Sequence, residues 1–271
     1  MPELPEVETT RRGIEPHILG RRIIDIVVRQ PRLRWPIPDD LATHLQSQTI
    51  DAVQRRAKYL LLRTSAGTLI IHLGMSGSLR VLERNTTPEK HDHVDLIFDN
   101  GKILRYRDPR RFGAFLWTAD DPLAHPLLAE LGPEPLDDAF DGDYLYQTSR
   151  RRRINIKALL MDSRIVVGVG NIYANESLFL AGIRPQSRTD RISKKRYERL
   201  AQCIKEVIAE AIRQGGTTLR DFVREDGQPG YFRLSLNVYG REGAPCPTCG
   251  EEIRKIQLNQ RSTYYCPHCQ R

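Results

Sequence analysis

The sequence predicts an α+β protein with a strand-rich first half, a helical second part and a small cysteine-rich ribbon at its C-terminal end. Three observations lead to this prediction. Short runs rich in Ile, Val, Leu and Thr recur between Ile23 and about Trp117, apolar residues recur at three and four positions later in the chain, and four of the five cysteines lie near the end. A chain of 271 residues is long enough for one large domain or two ordinary ones.

The first elements are a helix and a set of strands. Pro5 suits a first helical turn, Glu6 complements the positive end of the helix dipole, and Val7 and Ile14 recur on one side. The clearest strand runs are Ile23 to Val28, Tyr59 to Arg63, Thr68 to Leu73 and Ile103 to Tyr106. An alternating run ends in Asn100-Gly101, a dipeptide that accepts positive φ at both turn positions of a hairpin. We therefore expect two sheets packed face to face.

A linker and a long helix are predicted next. The stretch between Gly132 and Asp143 contains prolines and acidic residues and shows neither strand nor helix periodicity, which is typical of a linker. Ser193 can cap a helix that ends at Gly215-Gly216. Cys203 lies on the apolar face of that helix, which favours a buried thiol over a catalytic one.

The four remaining cysteines predict a structural zinc site. Cys246 and Cys249 form one CxxC pair, and Cys266 and Cys269 form another after sixteen residues. Two such pairs supply four thiolates to one tetrahedral Zn²⁺ and leave no open position for water. His268 is an alternative ligand, but the symmetric spacing favours the four cysteines.

The charge of the chain indicates a polyanionic partner. There are 42 Lys and Arg against 34 Asp and Glu, which gives a net charge of +8 and a pI of about 9.4. Nucleic acid is favoured over a membrane surface. No apolar run approaches the roughly 18 residues of a transmembrane helix, and the N-terminus lacks a signal-peptide pattern, so we expect a cytoplasmic protein without membrane association.

Two local features offer phosphate contacts. Arg150–Arg153 is an unbroken arginine run, which is either a solvated face or a phosphate-binding surface. In Gly168-Val169-Gly170-Asn171, Asn171 can cap a helix that begins near Ile172, and free backbone amides there suit one phosphate. An ordinary glycine turn is the alternative.

The N-terminus offers a nucleophile. Removal of Met1 before the small residue Pro2 leaves a secondary amine, and an α-amino group titrates near 8, far below lysine. Attack on an aldehyde-like sugar carbon forms a cationic iminium ion. Glu3 can protonate a leaving oxygen at the same centre. On these residues alone, an incidental Met-Pro-Glu start is favoured, because many proteins begin in this way.

Taken together, several motifs in a fixed order resemble one family. They are Pro2-Glu3-Leu4-Pro5-Glu6-Val7-Glu8, Arg56-Ala57-Lys58-Tyr59-Leu60, His72-Leu73-Gly74-Met75-Ser76-Gly77, Asp108-Pro109-Arg110-Arg111-Phe112-Gly113, Gly168-Val169-Gly170-Asn171-Ile172-Tyr173 and the cysteine ribbon. The chain resembles the bacterial formamidopyrimidine-DNA glycosylases, which excise oxidised purines. The resemblance runs from residue 2 to the last cysteine pair.

The resemblance implies an architecture and a partner. It implies a β-sandwich flanked by helices in residues 1–132, a linker over 133–148, a helix-two-turn-helix domain in 149–236 and the zinc ribbon in 237–271. The expected partner is duplex DNA with oxidised purines or abasic sites, bound by a monomer that needs no nucleotide cofactor. The Gly216 to Tyr231 segment, with Thr217 and Thr218, resembles the family's loop over the flipped base.

The resemblance also implies roles for individual residues. Pro2 is the expected Schiff-base nucleophile, Glu3 the acid, Lys58 the proton carrier in β-elimination and Arg261 the residue linked to δ-elimination and phosphate binding. The trio that fills the gap left by the everted nucleotide is Met75, Arg110 and Phe112. His91, Arg152, Lys157 and Asn171 match DNA-contacting positions. The family commonly has lysines where this chain has Arg151–Arg153, which keeps the charge and changes the phosphate geometry.

Two alternatives stay open. An endonuclease VIII-type enzyme for oxidised pyrimidines shares the N-terminal proline, but it typically begins Pro-Glu-Gly-Pro and lacks the Met, Arg and Phe set, so Leu4, Met75 and Phe112 favour the purine enzyme. A non-catalytic zinc-ribbon DNA-binding protein is the other alternative, and it would bind DNA without cleaving a strand.

Overall fold

A computed structural model describes residues 2–215 and 236–271 of the chain. These residues divide into two units. The first comprises residues 2–129 with Gly215, and the second comprises residues 130–214 and 236–271. No helix among the described residues is long and apolar enough to cross a membrane.

The first unit begins with helix α1 (Leu4–Ile18), so the helix predicted near Pro5 is confirmed. Glu3 is its N-cap and Pro5 lies in its first turn, where a missing N–H costs nothing. Val7 and Ile14 are buried. A short helix, α2 (Leu41–Leu45), lies between the first two strands.

The strands of this unit form two antiparallel four-stranded sheets. Along the chain they are β1 (Ile23–Val28), β2 (Ala52–Arg56), β3 (Tyr59–Thr64), β4 (Gly67–His72), β5 (Ser78–Glu83), β6 (Asp92–Phe98), β7 (Lys102–Arg107) and β8 (Ala114–Thr118). One sheet has the order β1-β6-β7-β5 and the other the order β2-β3-β4-β8. Because β2, β3, β4 and β8 belong to one sheet and β1, β5, β6 and β7 to the other, the chain passes between the sheets after β1, after β4 and after β7. We call the loops after β4 and after β7 the first and second crossover loops.

Both sheets contribute to one apolar core, which confirms the predicted sandwich. Leu62 and Ile71 from one sheet and Leu96 and Tyr106 from the other belong to the same buried cluster. The rings of Tyr106 and Phe115 lie 4.9 Å apart between β7 and β8. Burial of this apolar area is the main driving force for folding of the unit.

The hairpin turn predicted at Asn100-Gly101 is present, but its expected geometry was wrong. β6 and β7 are joined through these residues, with Ile97 opposite Ile103. Gly101 has φ of 78°, whereas Asn100 is not among the residues with positive φ. Instead the Asn100 side chain accepts a hydrogen bond from the Lys102 N–H at 3.1 Å, which stabilises a turn with a single left-handed residue.

A buried ion network joins the central strands of the first sheet. The Arg105 guanidinium on β7 donates to both Asp95 carboxylate oxygens on β6, each at 2.8 Å, and Arg29 donates to Asp95 at 2.6 Å. Burial raises the pKa of Asp95, but the hydrogen bonds from Arg105 and Arg29 outweigh burial and hold that pKa below its ordinary value. Arg105 also donates to the carbonyls of Thr86 and Thr87. The buried guanidinium therefore has hydrogen-bond acceptors that compensate for its removal from water.

The second unit is helical. Its helices are α3 (Gly142–Ser149), α4 (Ile156–Leu160), α5 (Asn171–Leu180) and α6 (Lys194–Arg213). Helix α3 begins within residues 133–148, the range expected to be a linker, because the Asp141 side chain accepts the Tyr144 N–H at 2.7 Å and caps a new helix. The predicted extent of α6 is confirmed, with Ser193 at the N-cap position and Gly215 at φ of 81° after its end, but the Ser193 side chain makes no capping hydrogen bond. Cys203 on α6 is buried, and burial raises the pKa of its thiol.

The ribbon at the end of this unit is a two-stranded antiparallel hairpin of β9 (Arg254–Leu258) and β10 (Arg261–Tyr265). It packs on α5, because Phe179 shares a small apolar cluster with Val238, Ile253 and two of the cysteines. Ribbon and helix therefore share one core.

Removal of the buried cation should destabilise the first unit. In Arg105→Ala the Asp95 carboxylate stays buried without its main partner, and we expect a loss of about 3 to 5 kcal/mol in the free energy of unfolding. Urea unfolding followed by tryptophan fluorescence measures this unit specifically, because the two tryptophans, Trp35 and Trp117, both lie in it.

Lys102→Ala is the matched control on the same strand. Lys102 pairs with the exposed Glu83, and an exposed pair contributes about 0 to 1 kcal/mol. Equal losses in the two variants would contradict the assignment of the network as a buried ion pair.

Candidate active site and metal site

The predicted nucleophile and acid lie at the start of α1. Pro2 is partly buried, and Glu3 is 2% exposed. The Glu3 N–H donates to Glu6 Oε2 at 2.8 Å, and the two glutamates form a reciprocal capping box. The positive end of the α1 dipole disfavours an ammonium at Pro2 and favours the neutral amine. A neutral amine next to a carboxyl group can act as a nucleophile beside an acid.

Lys58 lies in the tight turn between β2 and β3. Arg56 pairs with Tyr59 across the turn, and Ala57 takes a left-handed φ of 55°. Lys58 is partly buried, and α1 packs against both strands. The turn that carries Lys58 therefore joins two strands that both pack against α1.

The predicted gap-filling trio lies on the two crossover loops between the sheets. Met75 is on the loop after β4, and Arg110 and Phe112 are on the loop after β7. Met75 and Phe112 are 37% and 41% exposed, so two large apolar side chains on neighbouring loops are accessible to a partner. The Arg110 guanidinium lies over the Phe112 ring, 4.9 Å from its centroid.

His91 lies beside the second crossover loop. Its backbone has φ of 80°, and its carbonyl accepts the Asp108 N–H at 3.1 Å. The ring is partly buried and 6.2 Å from that of His93. The structure thus brings His91, Arg110 and Phe112 to one region of the first unit.

His72 was given no separate role in the sequence analysis. It ends β4, and its Nδ1 accepts the Gly74 N–H at 3.1 Å, which fixes the backbone just before Met75. Burial, followed by the positive charges of Lys58 and Arg34, lowers the pKa of His72 to about 4. The imidazole is therefore neutral at pH 7, as an acceptor must be.

The arginine run in the second unit divides into two kinds of residue. Arg150 donates to the carbonyls of Thr189, Asp190 and Ile192 and lies 4.2 Å from the Tyr146 ring centroid, so for Arg150 the predicted phosphate role is replaced by an internal one. Arg151 and Arg153 are exposed. Arg152 is partly buried, with Nη1 3.8 Å from Asp162 Oδ2.

Lys157 and Asn171 lie against the ribbon hairpin. Lys157 is 2% exposed, and its Nζ donates to Thr263 Oγ1 at 2.6 Å and to the Ser262 carbonyl at 3.1 Å. Asn171 Nδ2 donates to the same carbonyl at 3.0 Å. Asn171 was expected to be the cap of α5, but Gly170 is the N-cap and Asn171 the first helical residue. Its buried Oδ1 has no hydrogen-bond partner.

Arg261 begins β10 and is exposed, two residues from Thr263. The hairpin that carries it is attached to α4 and α5 by Lys157 and Asn171, and also by the Tyr264 N–H, which donates to Asn175 Oδ1 at 2.8 Å. A flexible ribbon is thereby held on a rigid helical support. The predicted loop over the base, residues 216–231 with Thr217 and Thr218, lies outside the described residues.

The four predicted zinc ligands come together. The sulfur atoms of Cys246, Cys249, Cys266 and Cys269 lie within 4.8 Å of one another. Cys246 Sγ is 3.9 Å from Cys269 Sγ, and Cys249 Sγ is 3.5 Å from Cys266 Sγ. A Zn–S bond of about 2.3 Å in a tetrahedron requires sulfur atoms about 3.8 Å apart. The site therefore fits one Zn²⁺, and His268 is not needed as a ligand.

The backbone next to Cys246 favours the thiolate of that residue. Burial raises the pKa of Cys246, but N–H groups of Thr248 and Cys249, together with the Cys266 and Cys249 side chains, lower it by more, to about 7. Burial raises the pKa values of Cys266 and Cys269. Metal binding requires the deprotonated thiol, so these N–H groups assist it.

Comparison with known proteins agrees with this arrangement. Three family profiles match in chain order: the formamidopyrimidine-DNA glycosylase N-terminal domain over residues 1–115, the H2TH domain of the same enzymes over 131–223, and a zinc finger found in FPG and IleRS over 243–271. The formamidopyrimidine-DNA glycosylases of Methylococcus capsulatus and Alkalilimnicola ehrlichii are 60% and 61% identical to the chain, with complete coverage of both sequences. The chain belongs to the formamidopyrimidine-DNA glycosylase family.

Solved structures agree with that assignment. The MutM (Fpg) crystal structure from Thermus thermophilus has a TM-score of 0.88 at 38% identity and covers 99% of this chain and 98% of its own. A Lactococcus lactis Fpg variant in complex with Fapy-dG-containing DNA has a TM-score of 0.92 at 36% identity, with complete coverage of both chains. As a member of the formamidopyrimidine-DNA glycosylase family, the chain is a DNA-repair glycosylase that acts on DNA, and its zinc ribbon is confirmed.

The zinc site gives a first prediction for this glycosylase. We expect one zinc per chain by elemental analysis, and loss of that zinc with weaker DNA binding in Cys246→Ser, because three thiolates no longer close the tetrahedron. Cys203→Ser is the control, since Cys203 is buried in α6, outside the cluster. Full zinc content in Cys246→Ser, or unchanged DNA affinity in a zinc-free sample, would contradict the expected role.

His72 gives a second prediction, on pH dependence. Its pKa is about 4 in the folded protein and near 6.5 in an unfolded chain, so the unfolded state binds more protons between these values. Stability should therefore fall as the pH decreases from 6.5 to 4, with a contribution of about 3 kcal/mol from this group.

His72→Asn is the matching variant, because an Asn oxygen can accept the Gly74 N–H and does not titrate. Urea unfolding between pH 7 and 4, followed by tryptophan fluorescence, should show a shallower pH dependence for His72→Asn than for the wild type. Parallel curves would show that His72 is not the buried neutral acceptor.

Proposed function

We propose that this glycosylase excises oxidised purines, 8-oxoguanine and formamidopyrimidines, from duplex DNA and then cleaves the abasic strand by successive β- and δ-elimination. The observation that carries the proposal is the start of α1, where Pro2 directly precedes Glu3, whose carboxyl group is buried at the N-cap position. The Lactococcus lactis relative was solved with Fapy-dG-containing DNA, which supports a ring-opened purine substrate.

The first step uses the Pro2 amine. Its lone pair attacks C1′ of the damaged nucleotide, and the base leaves with the electron pair of its bond to C1′ and takes up the proton that the Pro2 nitrogen loses. The nitrogen lone pair then opens the sugar ring and gives a cationic iminium. Glu3 donates a proton to the ring oxygen as the ring opens. Burial of Glu3 beside the capping-box partner Glu6 holds its carboxyl group in one place.

The following steps use the iminium as an electron sink. It acidifies C2′, and loss of a C2′ proton expels the 3′ phosphate in β-elimination; a second elimination expels the 5′ phosphate. Lys58 on its tight β2–β3 turn is the proposed proton carrier, and Arg261 on β10 is the proposed phosphate ligand that assists the second elimination. The product is a one-nucleotide gap with phosphates at both ends.

Eversion of the damaged nucleotide leaves a gap in the duplex. We assign the gap filling to Met75, Phe112 and Arg110, since two exposed apolar side chains and a guanidinium match a space between stacked bases. His91, Arg152, Lys157 and Asn171 are assigned to the DNA backbone. Because Lys157 is buried against the ribbon, we propose that it contributes to DNA binding indirectly, by holding the β9–β10 hairpin in place.

The zinc site stays outside this chemistry. Four thiolate ligands leave no coordination position for water or substrate, so the metal stabilises the ribbon that carries Arg261.

The domain division is also part of the proposal: a sandwich domain in residues 1–132, a linker over 133–148, a helix-two-turn-helix domain in 149–236 and the zinc ribbon in 237–271. We further propose that the protein acts as a cytoplasmic monomer.

An oxidised-pyrimidine enzyme of endonuclease VIII type is the second candidate. The Leu4 position and the exposed Met75 and Phe112 favour the purine substrate. Parallel duplexes with 8-oxoguanine and with an oxidised pyrimidine distinguish the two by relative excision rate.

Covalent trapping tests the nucleophile. We expect borohydride to trap the untagged protein on a duplex with one 8-oxoguanine opposite cytosine, and mass spectrometry to place the adduct on the Pro2 peptide. Tight binding without an adduct on either duplex would instead indicate a non-catalytic DNA-binding protein.

Glu3→Gln tests the acid. Excision of the base should slow by about 100-fold or more, because general acid catalysis contributes about 10²- to 10⁴-fold. Cleavage at a preformed abasic site should slow less, since its sugar already opens to an aldehyde. Glu15→Gln on the same helix, where Glu15 pairs with Arg11, is the control. Equal losses on both substrates would remove Glu3 from the ring-opening step.

A further inference from the structure

Asp108 is a completely buried carboxylate at the start of the second crossover loop, with 0% exposure. Its Oδ1 accepts the Ser76 hydroxyl at 2.8 Å and the Arg110 N–H at 3.3 Å. Its Oδ2 accepts the Tyr106 hydroxyl at 3.0 Å and the Gly113 N–H at 2.9 Å. Four donors therefore meet the acceptor capacity of one carboxylate.

These donors lie next to the exposed gap-filling residues. Ser76 follows Met75, Gly113 follows Phe112, and the third donor is the backbone of Arg110 itself. One carboxylate thus joins both crossover loops at points adjacent to all three side chains. Tyr106, the fourth donor, connects the same carboxylate to the core of the sandwich.

The two loops are also interlocked by glycines. A Cβ on Gly74 would lie 2.5 Å from the Phe112 carbonyl carbon, and one on Gly113 would lie 1.7 Å from the Tyr106 hydroxyl. These distances exclude any side chain at either position without movement of the backbone. This close approach of the two loops allows the Ser76 hydroxyl and the Gly113 N–H to donate to the same carboxylate, that of Asp108.

The Asp108 backbone is itself fixed by the neighbouring strand. Its carbonyl is bound by His93 Nε2 at 2.8 Å, and its N–H donates to the His91 carbonyl at 3.1 Å. The Arg111 N–H donates to the Asp108 carbonyl at 3.2 Å and closes the turn on which Arg110 lies. The Asp108 backbone is therefore held in place, and its carboxylate orients the Ser76, Arg110 and Gly113 groups that donate to it.

We propose that Asp108 is the positioning residue for gap filling: its carboxylate sets Met75, Arg110 and Phe112 in the geometry that enters the space left by an everted nucleotide. This rests on the proposed function, which supplies the gap. The three side chains are exposed, so core packing does not fix them, and the orientation of their loops has to come from the backbone. Preorganised loops avoid an ordering cost when the DNA binds.

Asp108→Asn is the sharpest variant, because it keeps the shape and replaces an oxygen by an NH₂ group that faces donors. At least two of the four hydrogen bonds are then lost. We expect excision of 8-oxoguanine to slow by about 10- to 100-fold, as a displacement of about 1 Å can cost 100-fold. Asp51→Asn, at an exposed aspartate of the same unit, should be unchanged.

A double-mutant cycle separates positioning from a merely structural role. Asp108→Asn is combined with Met75→Ala, Arg110→Ala and Phe112→Ala, which remove all three gap-filling side chains. If Asp108 acts through them, its substitution should cost less than about 3-fold in this background. The same 10- to 100-fold loss in both backgrounds would overturn the proposal.

A binding readout keeps the test independent of the chemistry. A duplex with a tetrahydrofuran abasic analogue and an adjacent 2-aminopurine reports unstacking when side chains enter the gap. The wild type should change the fluorescence, and Asp108→Asn at saturating protein should show a smaller change. Wild-type behaviour in the variant would overturn the proposal. Absence of a wild-type trapped adduct with a normal fluorescence change would instead count against the proposed chemistry alone.

Ser76→Ala covers the case in which Asp108→Asn does not fold. It removes one donor from the loop that carries Met75 and leaves the Asp108 bonds to Tyr106 and Gly113 in place. We expect a smaller loss of the fluorescence change with unaltered stability of the first unit. An unchanged signal would contradict the proposal.

Discussion

The chemistry proposed for this protein depends on one constraint: a secondary amine exists only at the end of the chain, and chain ends are usually mobile. The first turn of α1 meets this constraint by burial. Leu4 and Val7 are completely or almost completely buried, and Glu3 and Glu6 satisfy each other's backbone N–H groups. The residues that make the start of the helix rigid are therefore the ones that hold the amine and its acid together.

In the second unit the ribbon hairpin that carries Arg261 is likewise held in place by the structure around it. A two-stranded hairpin has little stability of its own, and here it is held by a metal site at its base and by hydrogen bonds from helices to its strand. Lys157 is the most informative of these contacts, because a buried ammonium needs acceptors for its N–H groups, and the Ser262 carbonyl and the Thr263 hydroxyl accept two of them. These bonds fix the backbone of the strand that begins with Arg261.

Much of this was predictable from the sequence. The sandwich, the long α6 helix and the zinc ligands each depend on a local pattern of fixed period or spacing. Such patterns can be recognised without knowing which distant residues come into contact. The details that were not predictable depend on partners distant in the chain. Asn171 is a good cap by type, but the Ser262 carbonyl, far along the sequence, binds its side chain. Arg150 lies in a run of like charges, yet the carbonyls after α5 enclose it. No sequence pattern marks Asp108 as a buried acceptor, because its donors come from several segments that meet only in the folded protein.

The crossover of the chain between the sheets has a further consequence. Strands β4 and β8 lie in one sheet, and β5 and β7 lie in the other, so the two loops that carry Met75, Arg110 and Phe112 bridge the layers at a single point. Sliding of one sheet over the other would therefore deform these loops. The loops proposed to enter the DNA are thus also covalent connections between the two sheets, so that a force exerted on them by a distorted duplex would reach strands of both sheets.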